Sequence, residues 1–137
     1  TECYALRLTH EGRVIVFSAD TAYFPPLAVF AEGADVLVHE AMHPDGVDRL
    51  VARTGNGDRL KAHLLASHTM AADVGRIAAG AKVAHLVLNH LVPADDSTIT
   101  QMHWIEQTRM TWDGQLTIGC DGLDLPLPSS KPQRNIA

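Results

Sequence analysis

Aromatic residues are scarce in this chain: Phe, Tyr and Trp make up 5% of its 137 residues. That excludes a platform on which nucleic-acid bases stack one after another. Clusters of Lys and Arg are also missing. The formal net charge is −5 and the isoelectric point is near 5.8, so stand-alone binding to nucleic acid or to an anionic membrane is not expected. No apolar run approaches the roughly 20 residues of a membrane span. Cysteine is limited to Cys3 and Cys120 near opposite ends, which read as two unpaired small residues. No His-x-His pair occurs, although a hydrolytic zinc site needs about three protein ligands per metal and an open position. The chain starts at Thr1 rather than Met, inside the alternating stretch Cys3-Tyr4-Ala5-Leu6-Arg7-Leu8. It is therefore expected to be the later half of something larger. The cytoplasm is the expected compartment, although a chain truncated at its start would also have lost any export signal.

What is present is enough for one domain. The chain is 46% hydrophobic, and its length permits a real core. Eight histidines are many for this length. Four short phrases stand out: Ser18-Ala19-Asp20-Thr21, His39-Glu40-Ala41, Ser67-His68-Thr69 and Asn89-His90. The first, second and fourth close the apolar runs Val14–Phe17, Val36–Val38 and Leu86–Leu88. The third opens a helix-like stretch. Reactive groups in layered α/β proteins gather where strands end and loops begin. An Asp and three His delivered in this way make one polar site, and their chemistry is that of zinc ligands.

The local patterns predict an α/β fold. Residues 3–9 and 13–19 flank Glu11-Gly12 as a β-hairpin. Pro25-Pro26 opens a short helix from Leu27 to Glu32, and Gly33 stops it. Asp35 to His39 forms a short buried strand. Residues 44–66 hold two short helices around Gly55-Asn56-Gly57. Thr69 caps a helix whose apolar positions Met70, Val74, Ile77 and Ala78 follow the 3.6 period. Val83 to His90 is a buried strand, and Pro93 to Ser97 a loop. Thr98 and Gln101 form a capping box for a helix ending near Met110. A last strand spans Gln115 to Cys120, with an extended piece on to Leu127. Residues 1–127 thus make the domain, and 128–137 are expected to be a disordered tail. Strands between helices imply a mixed sheet packed on helices. The remaining sheet positions Val14, Val16, Val36, Val38, Leu86 and Leu88 are expected to line a face left bare on one side or the other.

Two zinc readings compete for the same residues. His39-Glu40-Ala41-Met42-His43 matches the H-E-x-x-H motif of zinc peptidases, in which both His bind zinc and the Glu activates water. That motif requires a helix. Here β-branched residues precede it, Pro44 follows His43 and disfavours helical backbone there, and Arg49 stands where a third His is needed. The peptidase reading is the remote one.

The second reading uses all four phrases. Together with Gly33-Ala34-Asp35-Val36-Leu37-Val38, Trp112-Asp113-Gly114 and Ile118-Gly119-Cys120-Asp121-Gly122-Leu123, they resemble the C-terminal half of the metallo-β-lactamase-fold hydrolases. The likeness is to the branch holding ribonuclease Z and arylsulfatase-like enzymes, over roughly residues 4–127. The resemblance implies a four-layer αββα fold built from two similar halves, with the active site between them. It implies two zinc ions, with manganese or iron as alternatives. Asp20 would bridge the two metals and His90 would bind the second. His68 would protonate the leaving group, oriented by Glu40. The other ligands of the family sit in a first half that this chain lacks.

The reaction expected from the resemblance is cleavage of an ester or phosphoester by water activated between the metals, with this fragment inactive alone. The substrate is expected to be a small molecule. Ribonuclease Z-like cleavage of tRNA 3′ ends is the alternative. It ranks second because His90-Leu91-Val92-Pro93-Ala94-Asp95-Asp96 departs from the ribonuclease Z pattern, in which Phe-Ser and then an Arg-Tyr pair follow the last ligand His. A non-catalytic module that folds by dimerising is the reading from another class. The expected partners are therefore the missing first half or a second copy of the chain, giving a homo-oligomer. No membrane contact is expected. His39 should pack beneath the site, while His10, His43, His63, His85 and His103 should lie on surfaces or in polar clusters. His63 leads toward the His68 loop.

Overall fold

The computed structural model describes residues 2–127. The tail expected at 128–137 lies outside the described residues. The chain opens with a hairpin of β1 (Leu6–His10) and β2 (Arg13–Phe17). Its two-residue turn has positive φ at both Glu11 (48°) and Gly12 (73°). That backbone matches the twist of the flanking strands, and Gly tolerates it without penalty. Helix α1 (Leu27–Phe30) follows, entered through Pro26. Strand β3 spans Val36–Met42, and α2 spans Pro44–Ala52 with its proline in the first turn. Helices α3 (Gly57–Ser67) and α4 (Ala71–Ala81) lead to β4 (His85–Val92). The described structure closes with α5 (Gln101–Arg109) and β5 (Gln115–Ile118).

The sheet order is β1-β2-β3-β4-β5, the order of the chain. β1 runs antiparallel to β2, and the remaining pairs are parallel. Successive parallel strands need crossovers, and the helices supply them. Leu27 from α1, Val74 and Ile77 from α4 and Trp104 from α5 pack on Val16, Leu37, Leu86, Leu88 and Ile118 of the sheet. This single core covers one sheet face. A second small core of Met42, Val47 and Leu64 seats α2 and α3 at the end where β3 and β4 stop.

Among the described residues, the other sheet face has no helix on it. Ile15, Phe17, Val36, Val38 and Val87 line a groove there, together with Leu123, Leu125 and Leu127 from the last described segment. Strand alternation separates this set from the helix-facing one. The expected bare face is thus corrected. Of the six residues expected on it, Val36 and Val38 lie there. Val16, Leu86 and Leu88 face the helices, and Val14 packs against that same core. The arrangement supplies one sheet layer and one helix layer, two of the four layers implied by the resemblance. Among the described residues, no helix is long and apolar enough to cross a membrane.

Two helix starts differ from the sequence reading. Asp96 takes the Thr98 amide at 3.0 Å and the Thr98 hydroxyl at 2.6 Å. Thr98 is therefore held in the loop, and α5 begins one turn-residue pair later. There Thr100 caps the helix and donates its amide to His103 Nδ1 at 2.9 Å. Likewise Met70, not Thr69, is the cap residue of α4. The Thr69 hydroxyl donates instead to the Thr21 carbonyl at 2.7 Å.

Candidate metal centre

The four phrases converge at the ends of β2, β3 and β4. Asp20 sits just beyond β2, after Ala19 in a left-handed conformation (φ 58°). His39 and Glu40 lie inside β3, which continues to Met42. His90 lies inside β4, which continues to Val92. Strands β3 and β4 thus run further than their apolar cores suggest. The register shows why His90 stands out. Glu40 pairs with Asn89, but Ala41 pairs with Leu91. His90 is the extra residue of a β-bulge, and its φ is +39°. A bulge re-aims a side chain out of the strand's ordinary alternation. A non-glycine residue in this region carries strain and is found mainly where function requires it.

The result is a close polar set. His90 Nδ1 lies 3.5 Å from Asp20 Oδ1, with both side chains about half exposed. The His68 and His90 rings stack with centroids 5.5 Å apart. His68 Nδ1 lies 3.2 Å from Glu40 Oε2. Donor atoms of Glu40, His68 and His90 all fall within 4.8 Å of one another. Asp20 joins this group through His90.

Glu40 is the anchor of the set. It is buried, and the Thr69 amide donates to its Oε1 at 2.7 Å. Its own amide donates to Ser18 Oγ at 3.2 Å. Burial pushes the carboxyl up to about 8, against the pull of these hydrogen bonds. Burial, and then the neighbouring His90, lowers His68. Burial thus disfavours charge on both partners. Ser18, Thr21 and Thr69 were not singled out by chemistry, yet they brace the site. The signal was their position inside the quoted phrases.

The remaining histidines divide. His39 is fully buried below the strand end, with Nδ1 donating to the Glu40 carbonyl at 2.6 Å. Burial lowers it to about 4, and a neutral ring packed beneath the site is what the sequence suggested. His43 and His85, expected on surfaces or in polar clusters, are both buried. His43 lies edge-on to Trp104 of α5 at 5.2 Å. His85 meets Thr117 Oγ1 of β5 at 2.8 Å. His39 and His43 do not form a peptidase pair, because His39 lies on strand β3 and the helix begins only at Pro44, after His43.

The donor set fits a divalent cation. Two ligands each about 2.0–2.2 Å from one zinc ion lie about 3.3–3.6 Å apart at a tetrahedral angle. The Asp20–His90 separation of 3.5 Å meets that geometry. Carboxylate oxygen and imidazole nitrogen also suit manganese and iron.

No protein-family model matches the chain. Curated relatives do. Ribonuclease Z of Myxococcus xanthus is 30% identical over 117 residues, covering 85% of this chain and 34% of the relative. Ribonuclease Z of Pseudomonas putida is 35% identical over 120 residues, with coverage of 85% and 34%. Ribonuclease Z of Brevibacillus brevis is 37% identical over 82 residues, covering 60% of this chain and 22% of the relative. The chain thus spans about a third of the length of the first two of these relatives. Among solved structures, the metallo-beta-lactamase fold protein YhfI of Bacillus subtilis superimposes with a TM-score of 0.66 at 25% identity. That match covers 88% of this chain and 42% of YhfI. The first two ribonuclease Z relatives and YhfI each match more than four fifths of this chain, and its architecture is part of the metallo-β-lactamase fold.

Proposed function

We propose that this chain carries half of the active site of a two-metal phosphoester hydrolase. The observation that carries the reading is the buried Glu40–His68 pair set against the Asp20–His90 pair. In this reading Asp20 and His90 would hold the metals, and their 3.5 Å separation supports it. Zinc is the proposed metal. When bound, the metals supply Lewis acidity and activate water. The chain's own part is proton delivery. His68 passes a proton to the departing oxygen while Glu40 orients its imidazole, and solvent returns the proton to the ring afterwards. Two donors, Asp20 and His90, are too few for two metals. The rest are proposed to come from a segment outside these 137 residues, as the greater length of the relatives supports. The chain alone is accordingly inactive.

The substrate is proposed to be a small phosphoester or ester. Arg49 and Arg53 of α2 face the loop after His90, where they could have met a polyanion. They are instead engaged by Asp96 and Asp95, each at 2.8 Å. The ribonuclease Z relatives favour a second reading, cleavage at a tRNA 3′ end. One comparison decides between them: hydrolysis of bis(4-nitrophenyl) phosphate against a tRNA precursor, by the protein with its full ligand set.

Variants test the roles. His90→Ala and Asp20→Ala are expected to lose both metal and rate. His68→Ala is expected to keep metal by elemental analysis and to lose rate by about 10²–10⁴-fold, the usual worth of general acid catalysis. The loss shrinks for substrates with good leaving groups. If His68→Ala strips metal, His68 is a ligand and the acid role is wrong. If no variant changes metal or rate, the non-catalytic dimerising module is the better description.

A further inference from the structure

Three of the seven aromatic residues of this chain gather in one place. Tyr4, Phe24 and Phe30 line one hollow of about 260 Å³, floored by Leu27 and bordered by Ser18 and Thr21. No charged side chain lines it. The hollow stands against the site, because the turn 18–21 is a wall of both. On one side Ser18 receives the Glu40 amide and the Thr21 carbonyl receives the Thr69 hydroxyl. On the same turn sits Asp20, beside His90. The helix that carries Phe30 is also fastened: Arg7 Nη1 donates to the Phe30 carbonyl at 2.7 Å. The hollow's floor is therefore rigid, with Leu27 only 3% exposed.

We propose that this hollow is a subsite for a neutral planar apolar group, an aryl ring, carried by the substrate. The volume exceeds the roughly 150 Å³ that admits benzene in an apolar cavity. Aromatic walls favour a planar apolar guest through stacked or edge-on contact. An uncharged lining gives a phosphate or carboxylate nothing to pair with, so the anionic end of a substrate belongs on the Asp20–His90 side and the ring on this side. Ser18 and Thr21 hydroxyls donate to the Ala19 and Ala22 carbonyls, so both are already engaged. The role as a substrate subsite rests on the hydrolase reading; the binding itself does not.

The test uses the 137-residue chain in EDTA with p-cresol as the probe, followed by amide resonances. Saturable shifts are expected at Ser18, Thr21, Phe24 and Phe30, with 1-propanol producing none at equal concentration. Phe24 is 54% exposed, so Phe24→Ala keeps the fold. It is expected to weaken p-cresol by about tenfold, the scale of losing one large apolar contact. Unsaturable shifts, shifts confined to Ile15, Val38 and Val87 on the open sheet face, or Phe24→Ala binding as tightly as the parent would each overturn the subsite. Because no metal or turnover enters, failure here leaves the hydrolase reading standing. Absence of metal binding leaves the subsite standing.

Discussion

Glu40 holds its carboxyl where water does not reach, and this has a signature in stability. Its folded value is about 8, against 4.5 for the free group. Between those values the unfolded chain has released the proton and the folded chain keeps it. The folded state then binds more protons, so stability falls as pH rises through the window. His39 works oppositely, from about 4 in the fold to 6.5 outside it, so its contribution rises with pH and levels off only above the free value. His43, His68 and His85 are lowered too and act in the same sense. Comparing the parent with Glu40→Gln at each pH from about 5 to about 8 cancels the histidines and isolates Glu40. Urea titrations in EDTA are expected to show the stability of the parent relative to Glu40→Gln falling as pH rises. Equal slopes would show that the carboxyl titrates as a solvated one. The candidate residues were legible in the sequence because each lies in a short phrase at a strand or helix end. The bulge at His90 was not, since nothing in Asn89-His90-Leu91 marks one residue too many in a ladder.

Elements were legible where local chemistry alone decides them. The Glu11-Gly12 turn, Pro44 at the head of α2 and the 3.6-period stripe of α4 act over a few residues. They were misplaced where a distant partner decides. Thr98 would cap a helix had Asp96 not claimed it, and Thr69 would cap α4 had Thr21 not lain opposite. Close packing of α4 on α5 is another such long-range fact. A Cβ on Gly75 would meet the Thr111 hydroxyl and lie 2.9 Å from the Thr108 carbonyl. Backbone cannot move aside as a flexible side-chain end can. Gly75→Ala is expected to destabilise by about 1–3 kcal/mol, the usual cost of overpacking, despite the better helix propensity of Ala. Chemical denaturation checks this. By contrast Arg53→Ala removes an exposed ion pair with Asp95 and is expected to change stability by less than about 1 kcal/mol.

Across the whole molecule the open sheet face governs behaviour in solution. Leu6 pairs with Phe17 and Leu8 with Ile15, so Leu6 and Leu8 extend the apolar face to the edge strand. Both leucines are more than half exposed. Contiguous apolar surface of this kind favours association, and β1 also presents an unpaired edge. The chain alone is expected to self-associate at high concentration by light scattering, and Leu8→Lys to weaken that association. A clean monomer in the parent would overturn it. The same hairpin pairs with β3 over three positions, Ile15–Val36, Val16–Leu37 and Phe17–Val38, flanked by bonds of Val14 to Asp35 and of Ser18 to Val38, whereas β3 and β4 pair from Val36–His85 through to Met42–Val92. Such inequality divides a fold into units that open separately. Asp20 hangs from the weaker unit, while Glu40, His68 and His90 belong to the stronger one. A cation gripped by Asp20 and His90 would then be a bolt across the two. Amides of Val14 and Val16 are expected to exchange with deuterium faster than those of Leu86 and Leu88 in EDTA. Zinc should slow the first pair and leave the second untouched.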